Sequence, residues 1–204
     1  MGLATSLFNV ATGFQLMRRT VEAARYVVLA KYPTFEVRRY AAHVVAETEI
    51  EAPLEEGERT AFRRLAAYIF AKNRRGAPIA MTTPVKRRAA GRESALPTPV
   101  IESLRGERRV MEFTLPGGRA VEEFPAPSDP AVVLRRVPPQ TLAALRFSGR
   151  AKEDEFEHLA RTLWSAVATH GYRGLGPAIL AQYDPPWVFG PFRRNEVLLE
   201  VEKA

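Results

Sequence analysis

The sequence predicts an α+β domain in which strand and helix segments follow one another twice. Segments rich in Val, Thr and aromatic residues alternate with two segments whose apolar residues recur at helical spacing. The 204 residues are 46% hydrophobic and 26% charged, an ordinary composition that can bury one core. A similar order of elements in both halves of the chain adds to the prediction of one mixed domain.

The first half predicts three strands and one helix. Residues 33–51 predict a long strand, because Val, Thr, Phe and Tyr occur there in loose alternation. Residues 57–73 predict the first helix from their apolar spacing. The apolar run 77–85 predicts a strand that Pro84 ends, and 107–116 predicts the next strand.

The second half predicts the same kinds of element. Residues 131–149 are strand-like, with a kink at Pro138 and the proline after it. Residues 151–171 predict the second helix, and 176–186 and 193–202 predict the last two strands. The inward residues of this helix are expected to be Phe156, Leu159, Leu163 and Val167.

The two halves resemble each other in order and in one short segment. Residues 76–80 (GAPIA) and 176–180 (GPAIL) each follow a predicted helix and open an apolar strand. Residues 124–130, rich in proline, predict the linker between the halves. We therefore expect two repeated strand–helix–strand units, at about 32–124 and 131–204, joined in one domain.

Composition excludes several classes of site. The chain has no cysteine, which excludes disulfides, thiolate metal sites, iron–sulfur clusters and cysteine nucleophiles. Its 30 Lys and Arg residues against 23 Asp and Glu give a net charge of +7, which favours an anionic partner. The basic residues are scattered and no nucleic-acid motif accompanies them, so we do not expect nucleic-acid binding.

No common catalytic motif is present. The sequence contains no Walker loop, GxGxxG, GxSxG or HExxH pattern. Its clustered glutamates are typical of a solvated strand edge and a helix N-terminus. We therefore assign no catalytic residue.

Residues 1–25 predict an N-terminal extension with a short helix. No basic residue precedes its apolar stretch, unlike a secretory signal, and no apolar run in the chain approaches the ~20 residues of a membrane span. The first interpretation is a helix packed on the domain; the alternative is a helix lying on a membrane or a partner. We expect a cytoplasmic protein.

The first helix carries an unusual second face. Its core residues are expected to be Phe62, Leu65 and Ile69. The neighbouring face has small and apolar residues in the middle and arginines at one end: Arg59, Arg63, Ala66, Ala67 and Phe70. Such a face can seat a flat apolar ring whose carboxylates lie on the guanidinium groups, or it can pack against a loop.

Residues 185–192 (PPWVFGPF) predict an apolar, aromatic loop between the last two strands. Loops lie at the protein surface, so an apolar loop must cover something. It covers either the end of the protein's own sheet or a ligand.

Several segments resemble one known family. These are YPTFEVRRY at 32–40, AFRRLAAYIFAKN at 61–73 followed by PIAMTTPV at 78–85, PAPSD at 125–129, GRAKE at 149–153, and YDPP with RRNEV within 183–197. In this order they resemble the SOUL haem-binding protein family over roughly residues 26–202.

The resemblance implies a distorted β-barrel of two repeated halves with a helix packed on each. It also implies binding of haem or another tetrapyrrole, without a well-established enzymatic activity. Carried onto this chain, the ligand-binding residues would be Arg59, Phe62, Arg63, Ala66, Ala67, Trp187, Val188 and Phe189.

The chain departs from the family at the residue thought to ligate iron in one member. Its histidine corresponds to Arg39 here. His43 is the candidate substitute, since four residues along one strand keep the same face. His158 is expected to be exposed, and His170 to interact with the carbonyls that end the second helix.

These observations predict a soluble carrier or buffer for haem or another tetrapyrrole, held in an apolar surface pocket with arginines neutralising the propionates. One alternative is a binding module for another amphipathic anion or a protein partner. A second alternative is a tetrapyrrole-modifying enzyme, for which the sequence offers no residue.

Overall fold

The computed structural model of the chain describes residues 22–23, 25–70, 78–79, 82–89, 109–184 and 188–204. The predicted N-terminal helix lies outside these residues. Neither described helix is long and apolar enough to cross a membrane.

The described part contains eleven strands and two α-helices. The strands are β1 (Glu22–Ala23), β2 (Tyr26–Lys31), β3 (Glu36–Tyr40), β4 (His43–Ile50), β5 (Thr82–Thr83), β6 (Val85–Ala89), β7 (Arg109–Thr114), β8 (Val133–Val137), β9 (Gln140–Ser148), β10 (Tyr172–Gln182) and β11 (Arg194–Lys203). The helices are α1 (Leu54–Ile69) and α2 (Glu153–Thr169). The prediction of a mixed α+β domain is therefore confirmed.

Some predicted element boundaries are wrong. The predicted strand 33–51 is two strands, β3 and β4, separated by the pair Ala41 and Ala42. The strand directly before Pro84, β5, has only two residues, and the longer strand β6 begins directly after Pro84. Gly176 does not open a strand either, because it lies inside β10, where the pairing with β11 is irregular.

Nine strands form one sheet in the order β2-β3-β9-β11-β10-β6-β7-β4-β8, and every neighbouring pair in it is antiparallel. The pair β1–β5 is parallel and separate. No pairing joins the edge strands β2 and β8 in the described part of the chain. The α+β class is confirmed, whereas the barrel is not.

The strand order repeats a pattern. The run β4–α1–β6–β7 builds three adjacent strands in the order β4-β7-β6, and β9–α2–β10–β11 builds β9-β11-β10. The short strand before each run pairs with the other run: β3 pairs with β9, and β8 pairs with β4. The bounds predicted for the two units remain a prediction.

α1 packs on the sheet with a face that differs from the predicted one. Its buried residues are Gly57, Ala61, Leu65, Tyr68 and Ile69. Leu65 and Ile69 were expected, but Phe62 is 40% exposed, so its assignment to the core is wrong. Small residues allow the helix backbone to approach the sheet closely, which turns Phe62 to the side.

α2 packs as predicted through Phe156, Leu163 and Val167, with Leu159 half-buried beside them. Alternation along the strands separates this helical face of the sheet from the other face. On the other face lies a smaller apolar cluster of Tyr40, Leu142, Ala144, Ala181 and Leu198. Several charged side chains lie beside it and are also buried.

Candidate functional site

α1 exposes an apolar strip beside its buried face. Phe62 is 40% and Phe70 is 49% exposed, and half-buried Ala66 lies between them in the sequence. Residues four positions apart share one side of a helix, so these three side chains form a continuous strip. The ring of Phe62 contacts Phe113 of β7, with 5.4 Å between the ring centroids.

Two arginines border this strip. The Arg59 side chain is 71% exposed and its guanidinium lies 3.9 Å from Glu55. The Arg63 Nη2 donates a hydrogen bond to Thr60 Oγ1 at 3.2 Å. Exposed contacts within one helix contribute little stability, so either guanidinium can turn to a ligand carboxylate at small cost. Ala67, also predicted for this surface, is half-buried.

The segment before β11 carries further exposed aromatic rings. Phe189 and Phe192 are each 70% exposed, and their ring centroids lie 6.0 Å apart. Val188 is half-buried, and its carbonyl accepts a hydrogen bond from Arg193 Nε at 2.8 Å. Trp187, the remaining predicted residue, lies outside the described residues.

The base of this segment is held by hydrogen bonds. The Tyr183 amide donates to the Arg194 carbonyl at 3.1 Å, and the Arg194 amide donates to Asp184 Oδ2 at 2.5 Å. The Tyr183 hydroxyl donates to Glu196 Oε2 at 2.7 Å. Burial and the negative charge of Glu196 raise the pKa of Tyr183 well above its usual value. The phenol therefore stays protonated and anchors the segment.

Strand register places the strip and this segment at the same end of the sheet. Phe113, which contacts Phe62, pairs with Val85, and Val85 pairs with Gln182 at the end of β10. Neighbouring strands are about 4.8 Å apart, so the span from Phe113 to Gln182 is roughly 10 Å. The aromatic segment starts directly after Gln182. The strip and the strand end that leads into the aromatic segment thus lie at the same end of the sheet.

His43 does not belong to this surface. It opens β4, a different strand from the one that carries Arg39, so the argument that both share one strand face is wrong. Its neighbour Val44 packs in the core cluster under α1, and alternation turns His43 to the opposite face of the sheet. A ring lying on α1 would therefore not have His43 beside it.

The positions predicted for the other two histidines are as expected. His158 is exposed, and His170 Nδ1 lies 2.7 Å from the Ala166 carbonyl near the end of α2. Tyr68 is buried and donates its hydroxyl proton to the Pro125 carbonyl at 2.8 Å, so it has a structural contact.

Phe113 is the residue that the sequence did not point to. It lies in a strand with nothing in its local pattern to link it to the helix, and only packing brings its ring against Phe62. Phe70 was placed on the second face of the helix by the sequence but was not included among the ligand-binding residues, although it follows Phe62 by two turns.

Comparison with known proteins agrees with this architecture. A family model described as SOUL heme-binding protein matches residues 21–200, which is most of the chain. The fold and the match define a haem-binding class of α+β protein. The chain belongs to the SOUL haem-binding protein family.

Solved structures share the fold at low sequence identity. The crystal structure of the EcmrR C-terminal domain is 12% identical with a TM-score of 0.57, covering 83% of this chain and 98% of that one. A hydrolase from Listeria innocua is 10% identical with a TM-score of 0.54, covering 85% and 94%. An uncharacterized conserved protein from Listeria innocua is 12% identical with a TM-score of 0.58 and the same coverage. Among curated proteins, a sequence search finds no match.

Proposed function

We propose that this protein is a carrier or buffer that holds haem or a related tetrapyrrole on the exposed strip of α1. The observation that carries the proposal is the strip itself: Phe62, Ala66 and Phe70 are accessible and lie next to two exposed arginines. Family membership gives the chemical class of the ligand.

The strip fits the apolar and anionic parts of a tetrapyrrole. Exposed rings lose contact with water when a flat macrocycle covers them, at about 25 cal/mol per Å² of apolar area. Arg59 and Arg63 would neutralise the propionates. The segment with Val188 and Phe189 would cover the macrocycle from the other side, together with Trp187.

The same surface offers no histidine among the described residues that could bind iron there. His43 is on the other face of the sheet, and His158 and His170 belong to α2. Bound haem would contact the α1 strip through its tetrapyrrole ring and the two arginines through its propionates. We therefore propose recognition through the ring and the carboxylates, without an iron ligand from this face of the protein.

The test is a titration with haemin and with metal-free protoporphyrin, followed by the Soret band and by tryptophan fluorescence. We expect both to bind at one site with similar affinity. The double variant Arg59→Glu, Arg63→Glu should lose about tenfold or more in affinity, since each charged contact contributes about 1 kcal/mol or more. The matched control is Arg161→Glu, an exposed arginine on α2.

Three results would contradict the proposal. Unchanged affinity in the double variant would place the site elsewhere. Binding of haemin alone, lost in His43→Ala, would mean that iron coordination dominates. Binding of neither tetrapyrrole, with uptake of other amphipathic anions, would favour the alternative binding module. Quenching that persists in Trp187→Phe would remove Trp187 from the site.

A further inference from the structure

Two arginines bridge two glutamates on the face of the sheet opposite the helices. Glu47 of β4 and Glu112 of β7 are directly paired. Arg88 Nη2 donates to Glu47 at 2.8 Å, and Arg88 Nε donates to Glu112. Arg135 donates to the same carboxylates, at 3.0 and 2.8 Å. Opposed like charges destabilise a sheet, and here the guanidiniums neutralise them.

Lys86 adds one positive charge to this group. It pairs directly with Glu112 across β6 and β7, and it is only 3% exposed. Among the described residues, its ammonium forms no ion pair, because both Glu112 and Glu47 are taken by arginines. Counted over the residues that the structure describes, three cations and two carboxylates leave an excess of one positive charge in a buried place, which is costly.

His43 contributes an unpartnered acceptor to the same region. Its Nδ1 lies 3.0 Å from the Ala41 carbonyl, so Nδ1 carries the proton and donates it. Its Nε2 is buried without a hydrogen-bond partner. Burial has the largest effect on the pKa of His43, and the charged groups that act on it come from three strands: Lys86, then Glu112 and Arg135. His43 on β4 and Lys86 on β6 lie on the same face of the sheet with β7 between them, so a buried lone pair and a buried excess cation share this face.

The corresponding cluster in the other half of the sheet is complete. Glu196 accepts hydrogen bonds from Arg38, Arg194 and Tyr183 at 2.7 to 3.3 Å. Arg38 also binds Glu36, which pairs with the exposed Lys31 as well, so the two guanidiniums of this cluster face two carboxylates. In both halves an arginine of the flanking strand reaches past one strand to a glutamate. Among the described residues of the two clusters, Lys86 is the buried cation that forms no ion pair.

We propose that the cluster of Lys86, His43, Arg88 and Arg135 binds a small monoanion that carries its own hydroxyl, such as hydrogen carbonate or dihydrogen phosphate. The anionic oxygen accepts from the Lys86 ammonium, and the anion's hydroxyl donates to His43 Nε2. The bound anion brings the net charge of the cluster to zero. This site lies across the sheet from the α1 strip and is independent of tetrapyrrole binding.

The test is thermal unfolding of the full chain at neutral pH and constant ionic strength, with added hydrogen carbonate, phosphate or acetate. Ligands that bind only the native state raise the unfolding midpoint. We expect hydrogen carbonate or phosphate to raise it more than acetate, which has no hydroxyl to donate. The difference between the midpoints with hydrogen carbonate and with phosphate identifies which of the two oxyanions fits the site.

Variants separate the site from general salt effects. Lys86→Met should raise the midpoint in anion-free buffer, because it removes the unpaired charge, and should abolish the response to anion. His43→Gln should weaken the binding of the anion by about tenfold, since it alters the hydrogen-bond acceptor. Lys31→Met is the matched control, because this side chain is 72% exposed.

The proposal is overturned if Lys86→Met keeps the response of the wild-type protein, if Lys31→Met loses it equally, or if acetate is as effective as hydrogen carbonate and phosphate. A Lys86→Met protein that fails to fold contradicts the excess-charge argument, and His43→Gln then tests the anion contact by itself.

Discussion

Gly57 shows how one residue sets the distance between a helix and the chain before it. A Cβ at this position would lie 1.8 Å from the Glu51 backbone oxygen. Glycine is therefore required for close approach, although it is a poor helix former.

Gly57→Ala should destabilise the protein by about 1–3 kcal/mol, because the clash outweighs the higher helix propensity of alanine. The measurement is urea unfolding. The control is Glu55→Ala in the same turn, where the side chain is 90% exposed and should tolerate alanine. Equal stability of Gly57→Ala and the wild-type protein would show that the backbone moves freely there.

The Arg38–Glu196 pair is the strongest candidate for a structural charge contact, since both side chains are at least 95% buried. Glu196→Leu should cost about 3–5 kcal/mol, because it removes the buried carboxylate that Arg38 and Arg194 share. The exposed pair Arg173–Glu202 is the comparison, and Glu202→Leu should cost less than about 1 kcal/mol. Similar losses in chemical denaturation would contradict the difference in burial.

Local sequence could not reveal this pair. Arg38 and Glu196 are separated by 158 positions, and they meet because β3 and β11 both flank β9. The arginines of α1, in contrast, were identified from the sequence alone, since helical spacing places Arg59 and Arg63 beside the exposed strip. Which residues share one face of a helix could be predicted, whereas contacts that depend on strand register could not.

At the scale of elements, the helices were predicted better than the strands. The spacing of Leu163 and Val167 located α2 correctly. In α1 the larger Phe62 was assigned to the core, although the small Ala61 and the amphipathic Tyr68 take that role. Size alone does not tell which side of a helix is buried when small residues permit close packing.

The division of α1 into a core side and an exposed side is testable. Leu65→Ala should cost about 2–5 kcal/mol, since Leu65 is completely buried. Phe70→Ala should leave stability nearly unchanged and weaken tetrapyrrole binding, because Phe70 is half exposed. Measuring unfolding and porphyrin affinity for both variants distinguishes the core role of Leu65 from the binding role of Phe70. A Phe70→Ala protein with unchanged affinity would remove this residue from the site.

For the molecule as a whole, buried charges predict loss of stability in acid. Neighbouring guanidiniums hold the pKa values of Glu112 and Glu196 below their usual range despite burial. A lowered carboxyl pKa contributes stability that is present above the unfolded value and lost as the pH falls through the folded value. Burial and Lys86 also lower the pKa of His43 from 6.5, so stability starts to fall below that pH.

The unfolding midpoint should therefore fall in two stages on acidification, first through His43 and then through the carboxyls. His43→Gln should remove the first stage and leave the second. His158→Gln is the control, because His158 is exposed. A profile that His43→Gln leaves unchanged would mean that the pKa of His43 is the same in the folded and the unfolded protein.

The exchange of β3 and β8 has a consequence for how such a chain can be divided. If the chain were cut in the 124–130 segment, each fragment would carry a strand whose pairing partner lies in the other fragment. Neither fragment could complete its own sheet, whereas mixing them would restore every ladder. A single fragment with this strand order could pair its free sheet edge by exchanging that strand with an identical copy. Such an exchange would give an intertwined homodimer.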